Sequence, residues 1–303
     1  MYAIGETVYD IIFKVDKPVA AKAGGSMLNT VVSLGRAGRK PRLITALGQD
    51  RVGDLILTFL KENGVREDMI TQNNDVKTTI SLAFIDENGD ADYSFYKAVL
   101  PDALIEKTPD FKHSDIFLFG SFFSLEDQNR DYIVKLLREV ERKNCLCIYD
   151  PNIRKPHRDK MSLVRHRISE NIESADIIRA SDEDFKTAFS ANTFDEAAKL
   201  INPAKRILIY TINKKGLWLM GYGHKIFLNV PEIKVLSSIG AGDAFNAGLI
   251  FAFEKRCIHK EDLPHLHEDS WKAILHTAIA FAQDVCRSYD NYISFNFASE
   301  LDA

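Results

Sequence analysis

Five short apolar runs recur along the chain with helical patterns between them: Arg42–Ala46, Asp115–Phe119, Leu146–Tyr149, Asp176–Ile178 and Arg206–Tyr210. Continuous apolar runs of this length suit parallel strands buried on both faces, and a strand–helix alternation is the layout that joins such strands. The helices show their own period. Leu28, Val31, Val32 and Leu34 lie within Met27–Ala37, which Gly38 stops. Val52, Leu55, Ile56, Phe59 and Leu60 follow the i, i+3, i+4, i+7, i+8 spacing of one helix face, closed by Gly64. Ser124 with Asp127 reads as a helix cap ahead of the buried face Ile133, Leu136, Leu137 and Val140, and a last long helix is expected from Trp271 to Val285. The expected class is α/β, in which ligands bind beyond the carboxyl ends of the strands.

Polar side chains collect at those ends. Gly120-Ser121 follows one run, Asp150-Pro151-Asn152-Ile153-Arg154 the next, then Ser181-Asp182-Glu183-Asp184, then Thr211. One segment breaks the rhythm. Thr78–Ile85 and Ala91–Tyr96 are rich in strand formers and flank Asn88-Gly89, a strong hairpin-turn pair. With the extended Val8–Val15 region they predict a small second sheet, a subdomain of about residues 8–22 and 77–98 within a single unit spanning 1–303.

Several classes of protein are disfavoured. The net charge of −4 and the scatter of Lys and Arg argue against a nucleic-acid partner. No stretch approaches 18 apolar residues, so no membrane partner is expected, and the start lacks a signal-peptide pattern, which points to the cytoplasm. The four cysteines fit neither a disulfide framework nor a zinc spacing and read as reduced core residues; Cys145 and Cys147 share one strand face. His265-Leu266-His267 with Glu268 and Asp269 reads as a surface loop rather than a metal site.

The sharpest local signal is Ser238-Ile239-Gly240-Ala241-Gly242-Asp243-Ala244, preceded by strand-like Ile233–Leu236 and followed by an apolar helix, Ala244–Phe253. Small residues at a helix start leave its first N–H groups open, and the helix dipole adds positive potential there, which together cradle an anion. A carboxylate at the edge of that cradle can take a proton from a hydroxyl beside the anion, the arrangement phosphoryl transfer needs. For this motif alone, a simple helix cap is an open alternative. No Gly-Lys-Ser/Thr follows, so the loop is not the Walker type. Earlier in the chain, Gly24-Gly25 lets a ligand approach the backbone, and Asn29 one turn on can offer both ends of its amide to sugar hydroxyls. This layout calls for an open cleft between Asp243 and Asn29.

In this order and over nearly the whole chain, the motifs resemble the ribokinase-like, phosphofructokinase-B type family of carbohydrate kinases, most like its fructokinases. Gly5-Glu6 to Asp10 is similar to the family's opening strand, and Gly24-Gly25 to Asn29 with Leu34-Gly35-Arg36-Ala37-Gly38 to its first signature. Gly48-Gln49-Asp50 with Gly53 is similar to the continuation, Gly240–Asp243 to the second signature, and Asp150-Pro151-Asn152-Ile153-Arg154 to a fructokinase pattern. The resemblance implies a three-layer α/β/α fold with a central mostly parallel sheet and a small β-sheet lid, through which two copies form a homodimer.

It also implies roles. Asp243 would be the catalytic base, and Gly240, Ala241 and Gly242 the anion hole. Asp10, Gly24, Gly25, Asn29, Tyr96, Lys97, Asn152 and Arg154 would bind the sugar. Ser181, Asp184, Thr211 and Gly216 would lie at the nucleotide, with Mg²⁺ carried by ATP and approached by Asp184. Three departures matter. Ser237-Ser238 replaces the usual Asp-Thr, which weakens the case for a monovalent cation. Ser181 and Asp184 stand where the family has Asn and Glu, and Thr211-Ile212-Asn213 carries Asn for Gly. The implied reaction is ATP-dependent phosphorylation of a primary sugar hydroxyl, with fructose giving fructose 6-phosphate. The alternatives are ribose, a nucleoside or 2-keto-3-deoxygluconate as acceptor, or a catalytically silent sugar-binding regulator.

Overall fold

The computed structural model describes residues 1–14, 16–85, 91–97, 105, 107–153 and 159–301. Its strands in chain order are β1 Tyr2–Ile4, β2 Val8–Lys14, β3 Lys17–Gly24, β4 Arg42–Gly48, β5 Ile70–Asn73, β6 Ile80–Ile85, β7 Ala91–Tyr96, β8 Ile116–Gly120, β9 Leu146–Asp150, β10 Ile177–Ser181, β11 Ile207–Thr211, β12 Leu217–Gly221 and β13 His224–Leu228. The helices are α1 Ser26–Arg36, α2 Arg51–Glu62, α3 Asp127–Arg142, α4 Met161–Ser174, α5 Asp182–Phe189, α6 Phe194–Lys199, α7 Ala241–Lys255, α8 Glu268–Cys286 and α9 Phe295–Glu300.

Nine strands form one sheet in the order β13-β12-β11-β10-β9-β8-β1-β4-β5. From β5 to β11 every pairing is parallel; β12 and β13 close one edge antiparallel. The apolar runs are explained by what covers them. On β8, Ile116 and Leu118 face a core shared with α1, α2, α7 and α8, while Phe117 and Phe119 face a second core shared with α3 to α6. β9 and β11 alternate in the same way. Both faces are apolar because both are buried, so the three layers follow from the strand sequences. α7 is buried almost throughout, from Asp243 to Phe253. It packs so tightly on α8 that a Cβ at Gly248 would stand 2.7 Å from the Ala278 Cα.

The second sheet has the order β3-β2-β6-β7 and carries exposed Val19, Phe84, Phe95 and Tyr96. The turn at Asn88-Gly89, Val15 and the end of the expected lid at residue 98 lie outside the described residues.

Some expectations are corrected. Ile233–Leu236 is not a strand: Val235 and Leu236 are exposed, and the sheet edge already ends with β13. Ser124 does not cap α3. It sits in a tight 3₁₀ turn, Phe122–Leu125, where its hydroxyl donates to the Ser121 carbonyl, and Glu126 takes the N-cap position. Gly5 and Glu6 lie in the irregular connection after β1, and Asp10 belongs to β2 of the small sheet. Of the cysteines, Cys145 and Cys147 are buried as expected, but Cys257 is exposed; all four are free thiols.

Candidate active site

The starts of α1 and α7 meet at Asp243. Ser26 Oγ donates to Asp243 Oδ1 at 2.6 Å, Asn29 Nδ2 donates to Oδ2 at 2.8 Å, and Thr30 Oγ1 donates to the Asp243 carbonyl at 3.0 Å. Asp243 is 4% exposed and Asn29 likewise. The expectation of an open cleft between them is therefore corrected: the carboxylate and the amide are in direct contact. Asn29 does not offer both amide ends outward, because its N–H group is on Asp243. Its Oδ1 is buried with no hydrogen-bond partner among the described residues. Ser26, which carries one of the two donors, was not singled out in the sequence although it sits inside the Gly24–Asn29 motif.

The paired glycines serve this junction. A Cβ on Gly24 would lie 2.1 Å from Asp10 Oδ2, and one on Gly25, at φ 125°, would lie 2.5 Å from the Glu6 carbonyl oxygen. Asp10 crosses over Gly24 and accepts a hydrogen bond from Ser81 on β6. Lys22 of β3 donates to the Tyr289 carbonyl at 2.9 Å and to Asn291 Oδ1 at 3.0 Å. Asn291 in turn packs its carbonyl against Gly240, where a Cβ would come within 2.5 Å. Gly240 has φ 81°, so the loop before α7 needs glycine there for conformation as well as space.

A second cluster lies at the ends of β9, β10 and β11, against the first turn of α7. Asp150 is fully buried. Its Oδ2 accepts from Asn246 Nδ2 at 2.5 Å and from Arg179 Nη1 at 3.2 Å, and its Oδ1 accepts from the Asn152 N–H at 3.1 Å. Burial drives its carboxyl up to about 6, against the pull of Arg179 and Asn246 and with the push of Asp184 and Asp243. Asn152 holds φ 40°, a left-handed conformation that Asn tolerates. Arg179 Nη2 also donates to Thr211 Oγ1 at 3.3 Å. Arg179 was not anticipated; its signal was a lone cation inside the run Ile177-Ile178-Arg179-Ala180.

Ser181 and Asp184 form a capping box on α5. Asp184 Oδ1 accepts from the Ile153 N–H at 2.7 Å, and its Oδ2 accepts from the Ser181 N–H at 2.7 Å and hydroxyl at 2.6 Å. Both oxygens of Asp184, expected to approach the metal, thus accept hydrogen bonds from the protein. Among the described residues no group of three His, Cys, Asp or Glu could hold a metal ion. Ser237 Oγ accepts from the Ile239 N–H at 3.2 Å, so this loop offers a hydroxyl already in use.

Lys97 also departs from expectation. Its ammonium meets Glu6 at 2.7 Å and Glu126 at 3.6 Å. Burial opposes its charge, but the two carboxylates outweigh that and raise its pKa. Tyr96 beside it is exposed. Gly216, at φ 126°, is needed where a Cβ would strike the Leu228 carbonyl at 2.5 Å, and Asn213 takes φ 47° as the Asn-for-Gly exchange requires. Arg154 lies outside the described residues. The structure thus gathers Asp10, Gly24, Gly25, Asn29 and Asp243 at one junction, and Gly242, Asp150, Asn152, Arg179 and Thr211 at an adjoining one. The Ala241 N–H donates to the Ser238 carbonyl at 3.2 Å, which corrects its expected place in the anion hole; a carboxylate near the remaining N–H groups of this helix start, with a cation beside them, can serve acid–base chemistry on an anion.

The model of the pfkB family carbohydrate kinases matches residues 1–294. Fructokinase-2 of Solanum habrochaites is 26% identical over 264 residues, covering 82% of this chain and 80% of its own length. Among solved structures, a fructokinase with bound ATP from Xylella fastidiosa has a TM-score of 0.83 at 19% identity, covering 99% of this chain and 97% of that one. Aminoimidazole riboside kinase from Salmonella enterica, complexed with aminoimidazole riboside and an ATP analog, has a TM-score of 0.81 at 19% identity, covering 99% and 98%. The three-layer fold with its separate small sheet is the one the sequence resemblance implied.

Proposed function

This chain belongs to the pfkB family of carbohydrate kinases, and on that basis we propose that it transfers the γ-phosphoryl group of ATP to a primary hydroxyl of a small neutral sugar, with fructose giving fructose 6-phosphate as the preferred case. The observation that carries the reading is the position of Asp243. Its carboxylate sits in the first turn of α7, beside the N–H groups that begin at Gly240, and is held by Ser26 and Asn29 from the helix start that carries the glycine pair. A sugar hydroxyl reaches Asp243 by replacing one of those two donors, and Asn29 Oδ1 then has a hydroxyl to accept from. Asp10 fixes a second hydroxyl across Gly24. Asp243 takes the proton as the hydroxyl oxygen bonds to phosphorus, and the N–H groups of Gly240 and Gly242, with that of Ala241 already on the Ser238 carbonyl, receive the charge on the transferred group. Mg²⁺ carried by ATP would supply neutralisation of phosphate charge; no described side chain is assigned to it. The small sheet acts as the lid over the sugar, and its exposed Val19, Phe84, Phe95 and Tyr96 support pairing of two lids in a homodimer.

A neutral acceptor is preferred over a keto acid for a specific reason. Lys97 is already paired with Glu6 and Glu126, Lys22 is held on Tyr289 and Asn291, and Asp10, Glu6 and Glu126 against these two lysines leave the lid side of the junction one negative charge in excess. A substrate carboxylate there would meet net negative charge. Release of ADP should be measured with fructose, ribose, aminoimidazole riboside and 2-keto-3-deoxygluconate. Turnover should be greatest with a neutral sugar, and Asp243→Asn should lower kcat by about 10²–10⁴ while sugar and ATP still bind. Near-wild-type turnover in Asp243→Asn removes the base role, and sugar binding with no turnover on any acceptor favours a regulator.

A further inference from the structure

β10 delivers an arginine to a place where the core has no use for one. The Arg179 side chain is 11% exposed. Its hydrogen bonds, to Asp150 at 3.2 Å and Thr211 at 3.3 Å, lie at the long end of the range, and its Nε has no partner among the described residues. A guanidinium has five N–H donors in a fixed fork, so this one is under-used for a buried cation. Its plane lies against the first turn of α7. A Cβ on Gly242 would stand 2.8 Å from Nη1, 3.2 Å from Nη2 and 3.3 Å from Cζ. The absence of a side chain at 242 leaves the guanidinium the volume it occupies. Its Cζ also lies 5.4 Å from the centre of the Phe245 ring, one turn on in the same helix.

The surrounding charge makes the cation necessary. Asp150 is surrounded by Asp184 and Asp243, both of which raise its proton affinity. A phosphate entering above α7 meets this negative field along with the helix N–H groups. The helix end supplies about half a unit of positive charge, too little to offset three carboxylates. Arg179 is the one cation contacting both Asp150 and the α7 turn among the described residues.

We propose that Arg179 is the side-chain member of the anion hole, donating hydrogen bonds to a non-bridging oxygen of the phosphoryl group as it is transferred. This rests on the kinase reading above. In the step, the sugar oxygen forms its bond to the γ-phosphorus and the bond from that phosphorus to the β,γ-bridging oxygen breaks. The electron pair leaves with ADP, the hydroxyl proton goes to Asp243, and Arg179 neither gains nor loses a proton. Asp150 and Thr211 aim the guanidinium; Asn246 and the Asn152 N–H aim Asp150.

The test uses Arg179→Gln and Arg179→Lys in the full chain. Affinity is measured by calorimetry for ADP and for the β,γ-imido analogue of ATP, alongside kcat and both KM values. Arg179→Gln should lower kcat roughly 10²–10³-fold, as loss of an anion-hole donor does, with the sugar KM little changed. It should also weaken the imido analogue at least tenfold more than ADP. Arg179→Lys, a charge without the fork, should recover part of the rate. A purely structural arginine would weaken both nucleotides alike, so equal losses, or a kcat within about threefold of wild type, overturn the proposal. Should Arg179→Gln fail to fold, Arg179→Gln combined with Asp150→Asn removes the buried pair together, and the same discrimination between nucleotides is required of it. Wild-type turnover is read separately. If the wild type phosphorylates no sugar, the proposed reaction fails, whereas the nucleotide comparison still decides the place of Arg179.

Discussion

Protonation of Asp150 should be measurable as stability. The side chain is fully buried at the end of β9, and burial is the largest influence on it. Arg179 and Asn246 favour the carboxylate, while Asp184 and Asp243 oppose it, leaving the carboxyl at about 6 against an ordinary 3.8. In the unfolded chain the group returns to about 3.9. Because the folded value is the higher one, the folded state binds the proton more tightly. The resulting stabilisation is fully present below about pH 4 and is lost as pH rises through about 6. A shift of two pH units at 1.36 kcal/mol each corresponds to about 3 kcal/mol. Asp150→Asn keeps an acceptor for Arg179 and Asn246 but does not titrate. Paired urea denaturation of both proteins from pH 4 to pH 8 isolates the effect, since groups remote from Asp150 titrate alike in each and the coupled change at Asp184 and Asp243 belongs to the same cluster. The stability of wild type relative to Asp150→Asn should fall by about 3 kcal/mol across that window and level off above about pH 7. A difference that is flat, or that rises with pH, would refute the reasoning.

Gly24→Ala places a methyl group 2.1 Å from Asp10 Oδ2 and must push that carboxylate off Ser81. On the proposed reading that Asp10 holds a sugar hydroxyl, its displacement should raise the sugar KM roughly 10- to 100-fold, with nucleotide affinity unchanged in the same calorimetric titration. Asp50 caps α2 through Gly53 and also accepts from the Thr78 N–H and hydroxyl; although burial opposes its charge, these donors hold its carboxyl below the ordinary range. Asp50→Asn should reduce stability by about 1 kcal/mol at pH 7, and because the depressed value belongs to the folded state, the gap should close as pH falls through that value, which thermal melts at pH 7 and pH 3 would show.

The central sheet was legible because its strands carry their environment in their composition. Ile116–Phe119 is apolar at every position since successive side chains enter two different cores, and no loop sequence imitates that. Ile233–Leu236 differs for a readable reason: Lys234 interrupts it, Val235 and Leu236 face outward beyond the sheet edge, and a short run does not say what covers it. Asp243 was found because small residues announce a helix start. The closure of Asp243 by Ser26 and Asn29 was not, because it depends on how two helices more than 200 residues apart approach each other.

Arg179 was hidden by the same kind of distance, since Asp150 and Thr211 lie 29 and 32 residues away on the neighbouring strands. Yet its placement follows from the hydrophobic pattern. Ile177 pairs with Ile148 on β9 and Ile207 on β11, and all three belong to the core beneath α7. Two residues on, position 179 must point to the same face. A slip of β10 by one residue would turn Ile177 away from that core and carry the guanidinium to the side of α5, far from the α7 turn. The force that sets the register is therefore burial of isoleucine, and the charge is placed as its consequence. Phosphate chemistry at this site inherits its accuracy from core packing two residues below it.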